Sequence, residues 1–108
     1  MPGLINTHSH IPMSIFRETL DGYNLQDWLT KKIWPMEDKL TEEDIYYASY
    51  LSFIEMIKTG TTTVNDMYSM AESIIKAMQE TGVRLQTTRP LMDIAGEADG
   101  EKRLIELE

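Results

Sequence analysis

Thr61-Thr62-Thr63-Val64-Asn65, set between Gly60 and Asp66, decides how this chain is organised. Branching at Cβ fills the run, and such residues suit a pleated strand better than a helix. The glycine before it stops a preceding helix, so the run reads as a strand despite its polarity, with Asp66 at its C-terminal end. Backwards from there, Thr41-Glu42-Glu43-Asp44 reads as a capping box with Asp in place of the usual Glu. Behind it Tyr47, Tyr50, Leu51, Ile54 and Ile57 recur at the spacing of one amphipathic helix face, ended by Gly60. Forwards, Ser69-Met70-Ala71-Glu72 reads as a second capping box. It opens a helix with Ala71, Ile74, Ile75 and Met78 on one face and Gly82 just past its end. Val83 to Thr88 gives another strand, Arg89-Pro90 and the stretch from Ala95 to Gly100 read as loop, and a further helix is expected over 101–108.

Towards the N-terminus, Leu4 to His10 is expected to be extended, with Leu4, Asn6, His8 and His10 on one face and Ile5, Thr7 and Ser9 on the other. A connecting stretch from Ile11 to about Tyr23 follows. Asn24 then reads as the N-cap of a short helix whose apolar positions are Leu25, Trp28, Leu29 and Ile33, stopped by Pro35. Strand, helices, strand, helix, strand is the alternation that builds an α/β fold on a parallel sheet. A doubly wound sheet and an eight-stranded barrel both fit, but three strands are too few to close a barrel, which typically takes about 250 residues.

The bulk properties exclude several classes. At 108 residues and 42% hydrophobic content the chain suits one domain and not two. Eighteen acidic against ten basic residues give a formal charge of −8, a field that repels nucleic acid and anionic membranes. With no cysteine, neither a disulfide framework nor a thiolate metal cage is available, which accords with a cytoplasmic setting. The first residues carry no basic and apolar targeting pattern, and no apolar run approaches the roughly 20 residues of a membrane span.

The two histidines of His8-Ser9-His10 carry the chemistry. A metal ligand presents a neutral imidazole nitrogen, and two histidines at i and i+2 on a strand end can converge on one ion. Two polar residues closing a strand would have the same spacing. The surrounding text extends from Pro2-Gly3-Leu4-Ile5-Asn6-Thr7 through Met13, Arg17, Trp28-Leu29 and Trp34-Pro35-Met36-Glu37 to Gly60-Thr61-Thr62-Thr63 and Asp66-Met67-Tyr68. On those residues the chain resembles the amidohydrolase superfamily, in the branch of methylthioadenosine/S-adenosylhomocysteine deaminases and related chlorohydrolases, from Met1 to about Asp93.

The resemblance implies a (β/α)₈ TIM barrel of which residues 1–108 are one incomplete segment, about the first three strands with their helices, from a longer parent. It implies a metal, usually zinc or another divalent ion such as iron, with His8 and His10 as two of its ligands. The remaining ligands and the proton-shuttling Glu belong to later strands, so no catalytic group is assigned within this segment. Glu37 matches a residue that holds ribose hydroxyls, Trp28 an aromatic that lines the substrate pocket, and Arg89 an arginine that meets the carboxylate of larger substrates. Each also has a plainer reading: a solvated helix-end charge for Glu37, core packing for Trp28, a surface cation for Arg89. Glu18 stands where relatives often have glycine. Asp66 reads either as a strand-end cap or as an acceptor for an imidazole N–H.

Two functions follow. One is part of a metal-dependent hydrolase that deaminates an amino-purine nucleoside or similar amino-heterocycle, inactive as an isolated chain. The other is a non-catalytic module that self-associates through its open sheet.

Overall fold

The computed structural model describes residues 1–18, 22–90, 101, 104 and 105. Three parallel strands, β1 (Leu4–Ser9), β2 (Thr61–Met67) and β3 (Arg84–Thr88), stand in the order β1-β2-β3. Helices join them: α1 (Leu25–Trp28), α2 (Trp34–Glu37) and α3 (Glu42–Lys58) between β1 and β2, and α4 (Ala71–Thr81) between β2 and β3. This is the expected α/β alternation. The loop expected at 95–100 lies outside the described residues. Of the helix expected over 101–108, Glu101, Leu104 and Ile105 are described, all helical and exposed.

The core lies between the sheet and the helices. Val64 on β2 packs with Ile45 and Phe53 of α3, Ile74 and Ala77 of α4, and with Ile11, Tyr68 and Val83, all nearly inaccessible to solvent. No described helix covers the opposite face of the sheet, where Ile5, opposite Thr63, is 68% exposed. At the entrance to β1 the backbone passes so close to β2 that a Cβ on Gly3 would collide with the Thr62 side chain. A side chain at position 3 would force the two strands apart.

Four expectations are corrected. The stretch after His10 is not irregular throughout: Ile11–Phe16 forms a 3₁₀-helix, with Pro12 in its first turn where a missing N–H costs nothing. The apolar stripe read for α3 faces outward, with Tyr47, Leu51, Ile54 and Ile57 all exposed. Its inward face is Ile45, Ala48, Ser49, Ser52 and Phe53. Small residues let the 3₁₀-helix approach, and the Ser52 hydroxyl reaches the Ile11 carbonyl at 3.0 Å and Ser14 Oγ at 2.7 Å.

Pro35 does not stop the third helical segment. The chain continues from α1 through a π-helical turn, Leu29–Ile33, directly into α2, with the Trp34 N–H reaching back five residues to the Leu29 carbonyl. In an unbroken α-helix the proline ring would press on the carbonyl four residues earlier, and the wider turn relieves that contact. At α4, finally, the Ser69 capping box does not form. Met70 occupies the N-cap in the left-handed region, φ 56°, with no side-chain cap.

The other caps hold. Asn24 accepts from the Asp27 N–H at 3.0 Å. Thr41 and Asp44 make both arms of their box, which holds the Asp44 carboxyl below its usual range. Gly82 closes α4 at φ 75°. Glu18 also lies in the left-handed region, φ 67°, which accounts for the glycine the resemblance expects there.

Candidate functional site

In this sheet the C-terminal strand ends bring together His10, Tyr68 and the segment before Arg89. The β1 end is irregular. Asn6 and Ser9, three residues apart, stand opposite Val64 and Asp66, two apart, so β1 carries one extra residue across Thr7 and His8. The strict alternation expected for Leu4, Asn6, His8 and His10 therefore breaks here. The imidazoles still meet: their ring centres lie 5.2 Å apart, edge to face at 89°. Both side chains are exposed.

His10 has a defined tautomer. Its Nδ1 lies 2.9 Å from the Met67 carbonyl oxygen, which can only accept, so Nδ1 carries the hydrogen and donates it. In the neutral ring Nε2 then holds a lone pair, as a metal ligand must. Zinc–nitrogen bonds of about 2.0–2.1 Å in tetrahedral geometry put two imidazole centres roughly 5 Å apart. The donor set and the ring spacing both fit one divalent ion. No group of three or more metal-ligating side chains occurs among the described residues, so His8 and His10 are at most part of a full ligand set.

Asp66 is fully buried, and Oδ1 accepts the Ile11 N–H at 2.7 Å and the Ser9 hydroxyl at 3.2 Å. Ser9 shares that hydrogen with the Asn65 carbonyl at 3.0 Å. Burial pushes the Asp66 carboxyl up, opposed by the bonds from Ile11 and Ser9 and by the nearby imidazoles. Asp66 Oδ2 and Thr87 Oγ1, at paired positions of β2 and β3, are buried without hydrogen-bond partners among the described residues. For His10 the acceptor is thus the Met67 carbonyl and not Asp66.

The candidate substrate residues divide. Glu37, at the end of α2 and half-buried, accepts a 2.6 Å hydrogen bond from the Tyr68 hydroxyl through Oε1. Tyr68 is 6% exposed and its ring centre lies 6.3 Å from that of His10, so one buried aromatic connects Glu37 to the histidine pair. Burial, then Glu37, drives the Tyr68 hydroxyl far up, and it remains a donor. Trp28 is half-buried on α1, nine residues before Glu37 in the same helical run. Arg89 binds Glu72 at 3.0 Å beside an open cleft of about 340 Å³ lined also by Glu42, Ser69, Met70, Ser73 and Pro90. Neither histidine nor Glu37 lines that cleft.

Tyr68 is the member of this constellation that sequence reasoning did not single out. The readable signal was its position two residues beyond Asp66, at the end of a strand neighbouring the one that carries the histidines.

Comparison with known proteins places these features in context. The family described as "Amidohydrolase family" matches residues 1–108. A 5'-deoxyadenosine deaminase of Methanococcus maripaludis is 52% identical over 104 residues, covering 96% of this chain and 25% of that protein. A 5-methylthioadenosine/S-adenosylhomocysteine deaminase of Caldanaerobacter subterraneus is 47% identical over all 108 residues, again 25% of the relative. The chain thus spans about a quarter of the length of the curated relatives it matches. An adenosine deaminase from Xanthomonas campestris, crystallised with bound zinc, superposes with a TM-score of 0.83 at 31% identity over 99% of this chain and 26% of that one. An atrazine chlorohydrolase from Arthrobacter aurescens, complexed with zinc, superposes at 0.78 and 25% identity over 93% of this chain and 25% of its own. The three-stranded parallel sheet with its helices corresponds to the N-terminal part of the amidohydrolase TIM barrel.

Proposed function

Because the chain belongs to the amidohydrolase family, we propose that residues 1–108 supply the first metal-binding and substrate-holding strands of a zinc-dependent deaminase acting on adenosine-type nucleosides. The observation that carries this reading is the pair of imidazoles 5.2 Å apart, with His10 Nδ1 committed to the Met67 carbonyl. His8 and His10 would hold the ion. Such a metal supplies Lewis acidity and makes water nucleophilic at neutral pH.

The chain's own residues do the rest of what falls to this segment. The Met67 carbonyl holds His10 in the tautomer that leaves Nε2 available. Glu37, with Oε1 engaged by Tyr68, keeps Oε2 for a donor, and a ribose hydroxyl is a donor of the right kind. Arg89, paired with Glu72, stands near the strand ends where a substrate carboxylate would arrive. Trp28 would wall the purine side. The formal charge of −8 disfavours nucleic acid as a partner. No described helix is long and apolar enough to cross a membrane.

The test is a chimera. Replacing the matching quarter of a curated 5'-deoxyadenosine deaminase with residues 1–108 should retain ammonia release from 5'-deoxyadenosine, and His8→Ala or His10→Ala in the chimera should lower kcat/KM at least a thousandfold. A folded chimera indifferent to both substitutions would sink the proposal. The isolated chain should release no ammonia and bind zinc weakly, since two imidazoles leave a tetrahedral site two ligands short.

A second reading holds for the isolated chain: a non-catalytic module that self-associates. It is favoured by the exposed apolar side chains of Leu4 and Ile5 on β1, an edge strand, and of Leu51, Ile54 and Ile57 on α3.

A further inference from the structure

We infer that Asp66 is a positioning residue for the His8–His10 pair: from β2 it grips the chain on both sides of His10, at the end of β1 and the start of the 3₁₀-helix, and so fixes where the two imidazoles meet. The inference rests on the reading of that pair as a metal half-site, and goes beyond it by assigning the pair's geometry to a residue of the next strand.

Three observations carry it. First, the grip is specific in sequence. Oδ1 of Asp66 takes the hydroxyl of Ser9, which lies between the histidines, and the N–H of Ile11, which follows the second one. With the Met67 carbonyl on His10 Nδ1, the dipeptide Asp66-Met67 contacts Ser9, His10 and Ile11 in succession.

Second, the grip is needed at this point. The extra residue across Thr7 and His8 interrupts the regular pairing of β1 with β2, so the ladder alone does not set the direction of either imidazole. Asp66, standing opposite Ser9 where pairing resumes, substitutes a side-chain acceptor for the lost regularity.

Third, burying a carboxyl with one oxygen lacking a hydrogen-bond partner among the described residues costs free energy, which its two bonds to the chain around His10 offset in part. Residues that orient metal-binding histidines without touching the metal typically change metal affinity 10–100-fold when removed.

The experiment uses the 108-residue chain and two readouts. Long-range nitrogen-15 spectra of the histidine rings at about pH 8, above the ordinary imidazole pKa, report the His10 tautomer without any metal. Zinc titration followed on the ring carbon-bound protons reports affinity. The native chain should show His10 protonated on Nδ1. Asp66→Ala should give the tautomer mixture of a free imidazole and weaken zinc at least tenfold. Asp66→Asn, which keeps an acceptor oxygen for Ile11, should preserve the tautomer and hold affinity within twofold.

A folded Asp66→Ala chain with native tautomer and zinc affinity within twofold would overturn the inference, even if its melting temperature falls. Asp66→Asn behaving like Asp66→Ala would overturn the hydrogen-bond account by assigning the effect to charge. Should Asp66→Ala not fold, Asp66→Leu, with the same branching and no acceptor, replaces it under the same outcomes. Should zinc shift neither ring of the native chain, the two imidazoles do not hold zinc by themselves and the chimera decides the metal reading, while the tautomer comparison still decides what Asp66 does to His10.

Discussion

The Tyr68 hydroxyl donates to Glu37 Oε1 across 2.6 Å, joining the end of the first helical run to the residue just beyond β2. The bond closes a gap of 31 residues in sequence. It fixes one carboxylate oxygen of Glu37 from a tyrosine that is itself packed near His10.

Tyr68→Phe keeps the buried ring and removes the donor. It should lower unfolding free energy by about 1–2 kcal/mol in urea, the ordinary worth of a hydrogen bond to a charged group that is partly shielded. Glu37→Gln, which retains an acceptor oxygen, should cost less. An unchanged urea midpoint in Tyr68→Phe would show that the bond does not hold in solution.

Asp66 makes a pH prediction. Its carboxyl is raised in the folded chain, chiefly by burial, so its favourable contribution is complete below the unfolded carboxyl pKa of about 3.9 and is lost as pH rises through the folded value. Asp66→Asn avoids burying a charge and adds an amide donor at the position paired with Thr87. The variant should therefore be more stable than the native chain at neutral pH, with the gap closing towards about pH 4. Urea midpoints at the two pH values test this, and a gap that widens on acidification would contradict it.

The two faces of α3 should respond differently. Phe53 is 0% exposed, and Phe53→Ala should cost about 3–5 kcal/mol or prevent folding. Leu51→Gln on the outer face should change stability by less than about 0.5 kcal/mol. Combined with Ile54→Gln, it should reduce self-association in sedimentation velocity. Equal costs at positions 51 and 53 would mean that the helix is rotated from the orientation described.

Glu18→Gly should raise stability by up to about 1 kcal/mol, because glycine adopts φ 67° without the steric cost that Glu bears there. Part of the gain is offset by the larger freedom of glycine in the unfolded chain. A lower thermal midpoint would show that the left-handed turn is not maintained.

The alternation of strands with helices was legible because β-branched runs and cap residues act locally. Thr61 to Asn65 carries its strand preference in its own β-branched residues, and Thr41 with Asp44 closes its own turn. The orientation of α3 was not legible. Ala48, Ser49 and Ser52 are buried for their smallness, so the 3₁₀-helix can come close, and hydrophobic spacing ranks them below the exposed Leu51 and Ile54. At the site, His8 and His10 were recognisable from spacing and surrounding text, but the extra residue in β1 depends on pairing with a strand more than 50 residues away. The Tyr68–Glu37 bond and the Asp66 grip are likewise long-range, and nothing local to Glu37 announces its partner.

The π-helical turn at Leu29–Ile33 makes the helical run the equivalent of an α-helix with one inserted residue. Each residue of an α-helix advances the side-chain direction by about 100°. The wide turn absorbs that residue, so deleting it would restore α-helical spacing with Glu37 still aimed at Tyr68, but would bring the Pro35 ring against the carbonyl four residues before it. The turn therefore lets a proline enter the helical run while an aromatic before it and a carboxylate after it keep their relative aim.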